Sequence, residues 1–328
     1  MSDGLVVVSS SPHIHSPEDI GWIMRQVIYA LVPGAAVGVY FFGLPAFNVI
    51  WISVVSCIGV EALLQWLMGR AITVKDGSAA LTGLLLAMNL PPTSPWWLVV
   101  IGALVAIGLG KQVYGGLGNN PFNPALTARV FLLISFPVQM TSWIVPRPFL
   151  LRSADAVTGA TPLGAIKTAV FMHGNLAAAG KISLMDLFMG NVGGSLGEIS
   201  AIALILGGTY LIYKKIISWH IPVIYIGTVF VMTGIFWLIN PGVYANPVLH
   251  IFSGGLMLGA FFMATDLVTS PVTVFGKVIF AIGCGVITVV IRLWGGYPEG
   301  VSFSILIMNA FVPLINRGTR PVVFGAGR

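Results

Sequence analysis

The stretch "SAALTGLLLAMNLPPTSP" at residues 78–95 resembles the stretch "SGGLMLGAFFMATDLVTSP" at residues 253–271. Further along, "QVYGGLGNNPFNPALTARVFLL" (112–133) and "RLWGGYPEGVSFSILIMNAFVPLI" (292–315) again share a Gly-Gly pair followed by an apolar run. The copies start 175 and 180 residues apart, from 253 − 78 and 292 − 112. We interpret them as an internal repeat. The alternative is that apolar sequence rich in glycine and alanine resembles itself by chance.

The composition excludes a soluble domain. The chain has 328 residues, of which 57% are hydrophobic and only 8% are charged, whereas soluble domains carry about 25% charged residues. An integral membrane protein is therefore predicted, and the net charge of +6 is assigned to membrane anchors rather than to nucleic-acid binding. Cys57 and Cys284 are too few for a four-thiolate iron–sulfur site, and no zinc-ligand spacing occurs, so no metal site is predicted.

The apolar runs predict an all-α polytopic fold, because a spanning helix needs about 20 mostly apolar residues. The third and eighth runs are short. An odd number of spans in each half would invert the second copy, and inverted repeats with short or broken spans point to a midplane site for a substrate, ion or cofactor. The ten predicted spans are 20–42, 45–69, 78–90, 96–114, 121–137, 198–214, 219–239, 247–265, 274–294 and 301–316.

The basic residues predict the orientation. Loops with basic residues alternate with short loops that lack Lys and Arg; the basic loops contain Arg70 and Lys75, Lys214 and Lys215, and Lys277. Lys111 is interpreted as an anchor at the end of the fourth span. By the positive-inside rule, both termini are cytoplasmic. The predicted organisation is a cytoplasmic segment 1–19, a first membrane repeat 20–137, an extracytoplasmic loop 138–197, a second repeat 198–316 and a cytoplasmic tail 317–328.

The long loop contains the polar motif "DAVTGATPLGAIK" at residues 155–167. Pro162 favours the first position of a helix, and Thr161 is a good cap before it. Thr161 would then lie at the positive end of that helix, where free N–H groups bind phosphate, and Gly159 would let a bulky group approach. The alternative is an ordinary threonine-capped surface helix.

Asp155, Thr158, Gly159, Ala160 and Thr161 resemble the D-x-x-[S/T]-G-A-T signal read by flavin transferases. Further blocks resemble the RnfD/NqrB family, which comprises the RnfD component of the Rnf ion-translocating oxidoreductase complex and the NqrB component of the sodium-translocating NADH:quinone reductase. The resemblance extends from about residue 20 to 320 and is closer to the Rnf component. These further blocks are "NNPFNPA" (119–125), "GNVGGSLGEIS" (190–200), "MATDLVTSPVT" (263–273) and "GGYPEGVSFSILIMNAFVPLI" (295–315).

The resemblance implies that Thr161 carries FMN, attached outside the cytoplasm through a phosphoester with FAD as donor. Thr158, where many relatives have serine, is a less favoured attachment point. The chain would relay electrons coupled to Na⁺ or H⁺ movement within a bacterial or archaeal cytoplasmic membrane. The implied partners are the other membrane and peripheral subunits, including a second FMN-bearing subunit, and a flavin transferase. No dinucleotide-binding or iron–sulfur motif occurs, so NADH or ferredoxin would meet other subunits.

Four further polar residues are candidate cofactor-binding residues. Asn191 and Ser195 lie in the glycine-rich "GNVGGSLGE" loop (190–198), which would form a site beneath the FMN, a partner contact or simply a tight loop. Asn120 and Asn123 could bind a second, non-covalent flavin, riboflavin, which the family implies. Helix capping is the alternative for both asparagines.

Three carboxylates are candidates for an ion path, since acidic residues within a membrane usually line a cavity or form pairs. Glu61 lies deepest in an apolar run, whereas Asp266 and Glu299 have the alternative of a merely interfacial place. No catalytic residue is predicted. The competing hypothesis for the whole chain is an inverted-repeat channel or transporter for small molecules, without a redox role.

Overall fold

The structure is a computed structural model that describes residues 19–146, 159–179, 183–190 and 192–320. Its regular secondary structure is helical, and no strand occurs within those ranges. The first half contains α1 (Ile20–Phe42), α2 (Leu44–Leu67), α3 (Ser78–Met88), α4 (Trp96–Gln112, whose second part, Leu104–Gln112, is π-helical) and α5 (Pro124–Ser135).

The connecting region and the second half follow the same pattern of long and short helices. Short helices α6 (Pro137–Met140), α7 (Pro162–His173) and α8 (Leu184–Met189) lie between the halves. The second half contains α9 (Ala201–Tyr213), α10 (His220–Ile239), α11 (Pro247–Phe252), α12 (Leu256–Leu258, continued by a π-helical turn, Gly259–Met263), α13 (Val274–Trp294) and α14 (Val301–Gly318).

The all-α membrane class is confirmed, and the helices lie at the predicted spans. Five of the described helices, α1, α2, α10, α13 and α14, are long and apolar enough to cross a membrane. The shorter apolar helices are α3, α4, α5 and α9. The total of ten crossings and the extracytoplasmic place of the 138–197 loop stay predictions.

Side-chain caps set the helix starts. The Asp19 carboxylate accepts a hydrogen bond from the Trp22 N–H at 2.6 Å, and α1 begins there. The Asn123 side chain accepts from the first N–H groups of α5, which begins at a proline, and Thr273 caps α13 through the Gly276 N–H at 3.0 Å. These caps are polar side chains that satisfy otherwise unpaired backbone donors.

The two short spans expected from the repeat are short or broken. Helix α3 stops at Met88, and the segment predicted at 247–265 is interrupted at Ser253 and Gly254, where Gly254 adopts a left-handed φ of 71°. We call α3 and the segment formed by α12 and its π-helical turn the two half-helices. They meet where the Asn89 side-chain nitrogen lies 3.6 Å from the Met263 sulfur. Polar atoms are therefore placed deep within the packed helices.

Helices pack through small residues, both within each half and between the halves. Helix α1 packs along α9, α2 packs against α3 and α4, and α10 packs against α11 and α13. A Cβ at Gly207 would lie 2.0 Å from the Ala30 carbonyl oxygen, and one at Gly83 would lie 2.7 Å from the Val54 Cα. Only glycine permits such close backbone contact, which is the usual way that helices associate in lipid.

Each half also places a buried basic residue at the end of its fourth span. In the first half, Lys111 Nζ donates to the Ser78 hydroxyl at 2.6 Å, at the start of α3. In the second half, Arg292 donates to the His250 and Ser253 carbonyls at 2.5 and 3.0 Å, beside the break before α12. We call the side of the helix bundle on which α7 begins the Thr161 face. The opposite side, towards which α4 ends at Lys111 and Gln112, is called the Lys111 face.

Candidate functional site

Thr161 caps α7, as its position before Pro162 predicts. Its hydroxyl oxygen accepts a hydrogen bond from the Gly164 N–H at 3.1 Å, and its carbonyl accepts from the Ala165 N–H at 2.8 Å. The helix runs for 12 residues and ends at Gly174, whose φ is 64°. The hydroxyl group therefore lies at the positive end of a well-formed helix.

The neighbours of Thr161 are held tightly on one side. The Gly159 N–H donates to the Trp143 carbonyl at 3.1 Å, and a Cβ at Gly159 would lie 2.9 Å from a Val145 methyl group. Ala160 is exposed, and a Cβ at Gly193 would lie 3.9 Å from the Ala160 carbonyl oxygen, in ordinary van der Waals contact. The glycine-rich 190–198 loop is thus adjacent to the attachment motif. The predicted site residues Asp155, Thr158 and Asn191 lie outside the described residues.

A cavity opens beside Thr161, and we call it the Thr161 cavity. Its walls include Trp143 and the pair Tyr297 and Phe303, whose rings stack with centroids 5.2 Å apart. Ser302 also lines it, and its buried hydroxyl has no hydrogen-bond partner among the described residues. An aromatic pocket with a free hydroxyl suits a flat heterocycle that can accept or donate a hydrogen bond.

The base of the Thr161 cavity is a buried charge cluster. Arg129 on α5 forms an ion pair with Glu299, and its Nη2 lies 3.5 Å from Glu198 Oε1. Its other terminal nitrogen donates to the Asn89 side-chain oxygen at 2.7 Å. The side chains of Arg129, Glu198 and Glu299 are 9, 9 and 15% exposed. One guanidinium thus links the Thr161 cavity to the meeting point of the half-helices.

The Gly254-Gly255 turn explains how Glu299 reaches this cluster. Its Oε1 accepts a hydrogen bond from the Gly255 N–H, and a Cβ at Gly255 would lie only 2.7 Å from that oxygen. Side chains at this turn would therefore displace the carboxylate. Glu299 is thus a paired and largely buried residue, and both its place in an ion path and the interfacial alternative stay predictions.

The two carboxyl groups of the cluster differ in protonation. Burial raises the pKa of Glu198 to about 8, and the neighbouring Glu299 carboxylate adds to the rise. Burial also opposes ionisation of Glu299, but Arg129 and Arg292 outweigh it and hold the pKa of Glu299 below its ordinary value. Both carboxyls lie in loops outside the spanning helices. At neutral pH, Glu299 is the charged partner of Arg129, and Glu198 holds a proton.

A second buried ion pair lies towards the Lys111 face. Lys111 Nζ donates to Glu61 Oε1 at 2.7 Å, and the same oxygen accepts from the side-chain amides of Gln112 and Gln65 at 3.0 and 3.2 Å. Lys111 is 1% exposed, so its interpretation as an anchor at the membrane surface is wrong. The other oxygen of Glu61 has no partner among the described residues, which leaves one acceptor available for a cation, a proton or water.

Asn120, Asn123 and Asp266 line one cavity together with Lys111, here named the Lys111 cavity. Asn123 caps α5 and donates to the Met263 carbonyl at 3.4 Å, so its capping role is confirmed. Asn120 is buried, and its side-chain oxygen has no partner within the described part of the chain. Asp266 is partly buried and accepts from the Thr269 hydroxyl at 3.1 Å.

The sequence-predicted residues thus fall into two groups. The first group lies around the Thr161 cavity: Thr161 and Glu299 line it, and Gly159 and Ala160 directly precede Thr161. Ser195 is buried one turn before Glu198, and its carbonyl accepts a hydrogen bond from the Glu198 N–H at 3.0 Å. Asn120, Asn123 and Asp266 lie on the Lys111 cavity, beside the pair of Glu61 and Lys111. Sequence reasoning missed Arg129, Glu198 and the partner role of Lys111. A lone arginine within an apolar run is the signal that could have found Arg129, since intramembrane charges are normally paired.

Comparisons with known proteins assign the chain to a family. The family model described as "NQR2, RnfD, RnfE family" matches residues 7–325. This chain belongs to that family. A relative from Acetobacterium woodii, the D component of a Na⁺-translocating ferredoxin:NAD⁺ oxidoreductase complex, is 50% identical and is covered to 97%, over 99% of this chain.

Two further relatives of this NQR2, RnfD, RnfE family member extend the comparison. The D component of a proton-translocating ferredoxin:NAD⁺ oxidoreductase complex of Clostridium ljungdahlii is 47% identical, over 99% of this chain and 97% of the relative. The D component of an ion-translocating oxidoreductase complex of Halorhodospira halophila is 44% identical, over 97% of this chain and 95% of the relative. The resemblance found from the sequence motifs is therefore confirmed at the level of the family.

Proposed function

We propose that this chain is the membrane subunit of an ion-translocating, Rnf-type ferredoxin:NAD⁺ oxidoreductase complex in a bacterial membrane, and that it carries FMN on Thr161. The family membership supports the assembly, because the relatives at 44–50% identity are named as the D component of such complexes. The observation that carries the flavin site is the Thr161 hydroxyl, which caps α7 at the edge of a cavity with aromatic walls.

The lining residues suit FMN by their chemistry, and the cavity of about 70 Å³ would hold only part of the ring, the rest lying outside it. A phosphoester on the Thr161 hydroxyl would place the phosphate at the N-terminus of α7, where backbone N–H groups and the helix dipole favour negative charge. Trp143, Tyr297 and Phe303 offer apolar surface for the ring, and Ser302 offers an unpaired hydroxyl. Bound FMN would supply the electron-transfer chemistry, and the protein would set its position and surroundings.

The chain's own charges do not oppose an anionic group in this cavity. Arg129 is neutralised by Glu299, Glu198 is protonated at neutral pH, and Arg292 lies close enough to influence both carboxyls. Arg129 and Glu299 cancel, so the cluster carries no net negative charge that would repel a phosphate.

The experiment is a mass measurement on the chain produced with an active flavin transferase. In the attachment step, the Thr161 oxygen bonds to the FMN phosphorus of FAD, and the bond to AMP breaks. The mature chain should therefore exceed its sequence mass by one FMN less one water, and should fluoresce in a denaturing gel. Thr161→Ala should abolish both signals, and Thr161→Ser should keep them because the hydroxyl remains.

Thr158→Ser is the matched control, since it changes the other hydroxyl-bearing residue while keeping the [S/T] position of the transferase signal. It should keep the full mass increase, and peptide mapping should place the flavin on Thr161. A wild-type chain without flavin, produced beside an active transferase, would contradict the proposal and favour the channel or transporter.

The second candidate site, for non-covalent riboflavin, is the Lys111 cavity. Asn120 supports it, because it lines the cavity and its buried side-chain oxygen has no partner among the described residues. Denaturing extraction of the purified complex should release a flavin without phosphate, and Asn120→Leu should reduce its amount relative to the covalent FMN. Unchanged release from that variant would refute this assignment.

Glu61, Asp266 and Glu299 are proposed to serve the movement of Na⁺ or H⁺. Glu61 supports this best, since one of its oxygens is buried and unpaired in the described structure. The relatives of similar identity are named for different ions, sodium in one and protons in another. Ion uptake into vesicles that contain the complex, measured with the paired replacement of Glu61→Gln and Lys111→Met, which leaves neither charge buried alone, should fall strongly; undiminished uptake would remove Glu61 from the path.

The orientation can be tested with the same preparations. We propose that the Thr161 face is extracytoplasmic and that both termini are cytoplasmic. In the predicted topology, the short loops that contain Lys or Arg, at 70–75, 214–215 and 277, lie on the side opposite to Thr161, and such loops are normally cytoplasmic. Cys57 and Cys284 are fully buried, so single cysteines introduced elsewhere can be labelled selectively. A cysteine at Ala160 should react with an impermeant reagent from outside intact cells, and exclusive reaction from inside would refute the orientation.

A further inference from the structure

A third cavity lies on the Thr161 face, between α7 and the ends of α11 and α13, and we call it the His250 cavity. Its volume is about 330 Å³, within the range of roughly 300–1,000 Å³ that small-ligand pockets occupy. Leu163 and Pro298 line both this cavity and the Thr161 cavity and so separate them. The proposed flavin function makes no use of it.

Unpaired donors lie at its base. His250 is 3% exposed, and neither ring nitrogen has a hydrogen-bond partner among the described residues. Arg292 is 5% exposed and uses its terminal nitrogens on the His250 and Ser253 carbonyls, while its Nε–H has no described partner. Buried donors are normally satisfied, so two unpaired ones beside a cavity of this size indicate a ligand that accepts hydrogen bonds.

The charge of the cavity indicates that this ligand is an anion. Lys167 and Arg292 both line it, and no carboxylate lies within 4 Å of either among the described residues. Lys167 Nζ already donates to the carbonyls of Ile291, Arg292 and Tyr297, at 3.1, 3.3 and 2.7 Å. Since an ammonium group has three donors, Lys167 contributes charge, and the hydrogen bonds must come from His250 and Arg292.

The rim of the cavity indicates that the anion belongs to a lipid. Phe171 and Trp294 line it and are 86 and 55% exposed, and Tyr244 lies beside them. Aromatic side chains of this kind gather at the membrane–water interface. A free ion would not need a broad apolar rim, whereas acyl chains would cover it.

We propose that the His250 cavity binds the phosphodiester of an anionic phospholipid, such as phosphatidylglycerol, from the leaflet on the Thr161 face. The phosphate oxygens accept hydrogen bonds from His250 and from the Arg292 Nε–H, Lys167 adds a nearby positive charge, and the acyl chains lie over Phe171 and Trp294. The lipid then joins α7 to the end of α13. It thereby helps to hold the helix that begins at Thr161.

Native mass spectrometry of the intact complex tests this, with phosphatidylglycerol and phosphatidylcholine supplied in equal amounts. Gly296→Phe should fill the cavity, since a Cβ at Gly296 has no atom within 4 Å, and His250→Leu removes one donor at similar volume. Each variant should retain phosphatidylglycerol about tenfold less well, the loss expected for one charge-assisted hydrogen bond. Gly227→Phe is the control, because Gly227 on α10 has equally open space but lies outside the cavity.

Several outcomes would overturn the proposal. One is that Gly296→Phe and Gly227→Phe retain equal amounts of phosphatidylglycerol. Another is that the wild type retains as much phosphatidylcholine as phosphatidylglycerol. A third is that inorganic phosphate displaces the lipid, which would make the free anion the ligand. A measurement on the wild-type complex is independent of variant folding. Photoactivatable phosphatidylglycerol should label Phe171 or Trp294, and labelling confined to other sites would contradict the proposed binding.

Discussion

Replacing both carboxylates that face Arg129 should destabilise the protein far more than the sum of the single replacements. Glu299 forms the closer ion pair, and Glu198 lies 3.5 Å from the same guanidinium. In Glu299→Gln, Glu198 can ionise and become the counter-ion, so the loss should be about 1 kcal/mol, as for one hydrogen bond. Glu198→Gln should cost no more, because Glu299 keeps the pair.

The double variant leaves Arg129 buried without a counter-ion, which costs about 3–5 kcal/mol. The expected coupling energy is therefore about 1–3 kcal/mol. The free energy of unfolding can be measured in mixed micelles by titrating the denaturing detergent and following tryptophan fluorescence. As a control, Glu299→Gln is combined with Asp19→Asn, since the Asp19 carboxylate is 75% exposed and paired only loosely with Arg25 at 4.0 Å. If the Glu198 and Glu299 replacements also add to within about 0.5 kcal/mol, the shared-cation reasoning is wrong.

Three further outcomes follow from the buried charges. The pKa of Glu198 is raised to about 8 from an unfolded value of about 4.3, so between these values the folded chain keeps a proton that the unfolded chain has lost. Thermal stability should therefore fall as the pH rises from about 5 to 8. Glu198→Gln should make the melting temperature less dependent on pH over that range. Gly255→Ala should displace the Glu299 carboxylate, since its Cβ would lie 2.7 Å from Oε1, and should cost about 1–3 kcal/mol of unfolding free energy; an unchanged value would show that the turn yields. Lys111→Met should cost about 3–5 kcal/mol by leaving Glu61 buried and unpaired, and adding Glu61→Gln should recover most of it, as measured by the same detergent titration.

Hydropathy and cap chemistry predicted the helices well. The apolar runs gave the positions of the spans to within a few residues, because lipid demands long apolar helices. The Thr161-Pro162 pair predicted the start of α7, and Thr161 does accept the Gly164 N–H. Both features are local, so neighbouring residues along the chain decide them.

The charge clusters could not be predicted in the same way. Arg129 and Glu299 are 170 residues apart, and Lys111 and Glu61 are 50 apart, so only the packing of the helices brings them together. Lys111 looked like an anchor because it lies near the end of an apolar run. It lies buried in the π-helical second part of α4, which the hydrophobic pattern does not distinguish from an ordinary helix.

Helix α5 carries residues of both the Thr161 cavity and the Lys111 cavity, and this has an electrical consequence. Asn123 lines the Lys111 cavity and Arg129 lines the Thr161 cavity, and six residues of α-helix span only about 9 Å. Where water fills both cavities, the transmembrane voltage falls mainly across this thin septum instead of the whole bilayer. A charge that crosses between Asn123 and Arg129 then moves through nearly the full potential, which is about 2.3 kcal/mol per elementary charge for every 100 mV.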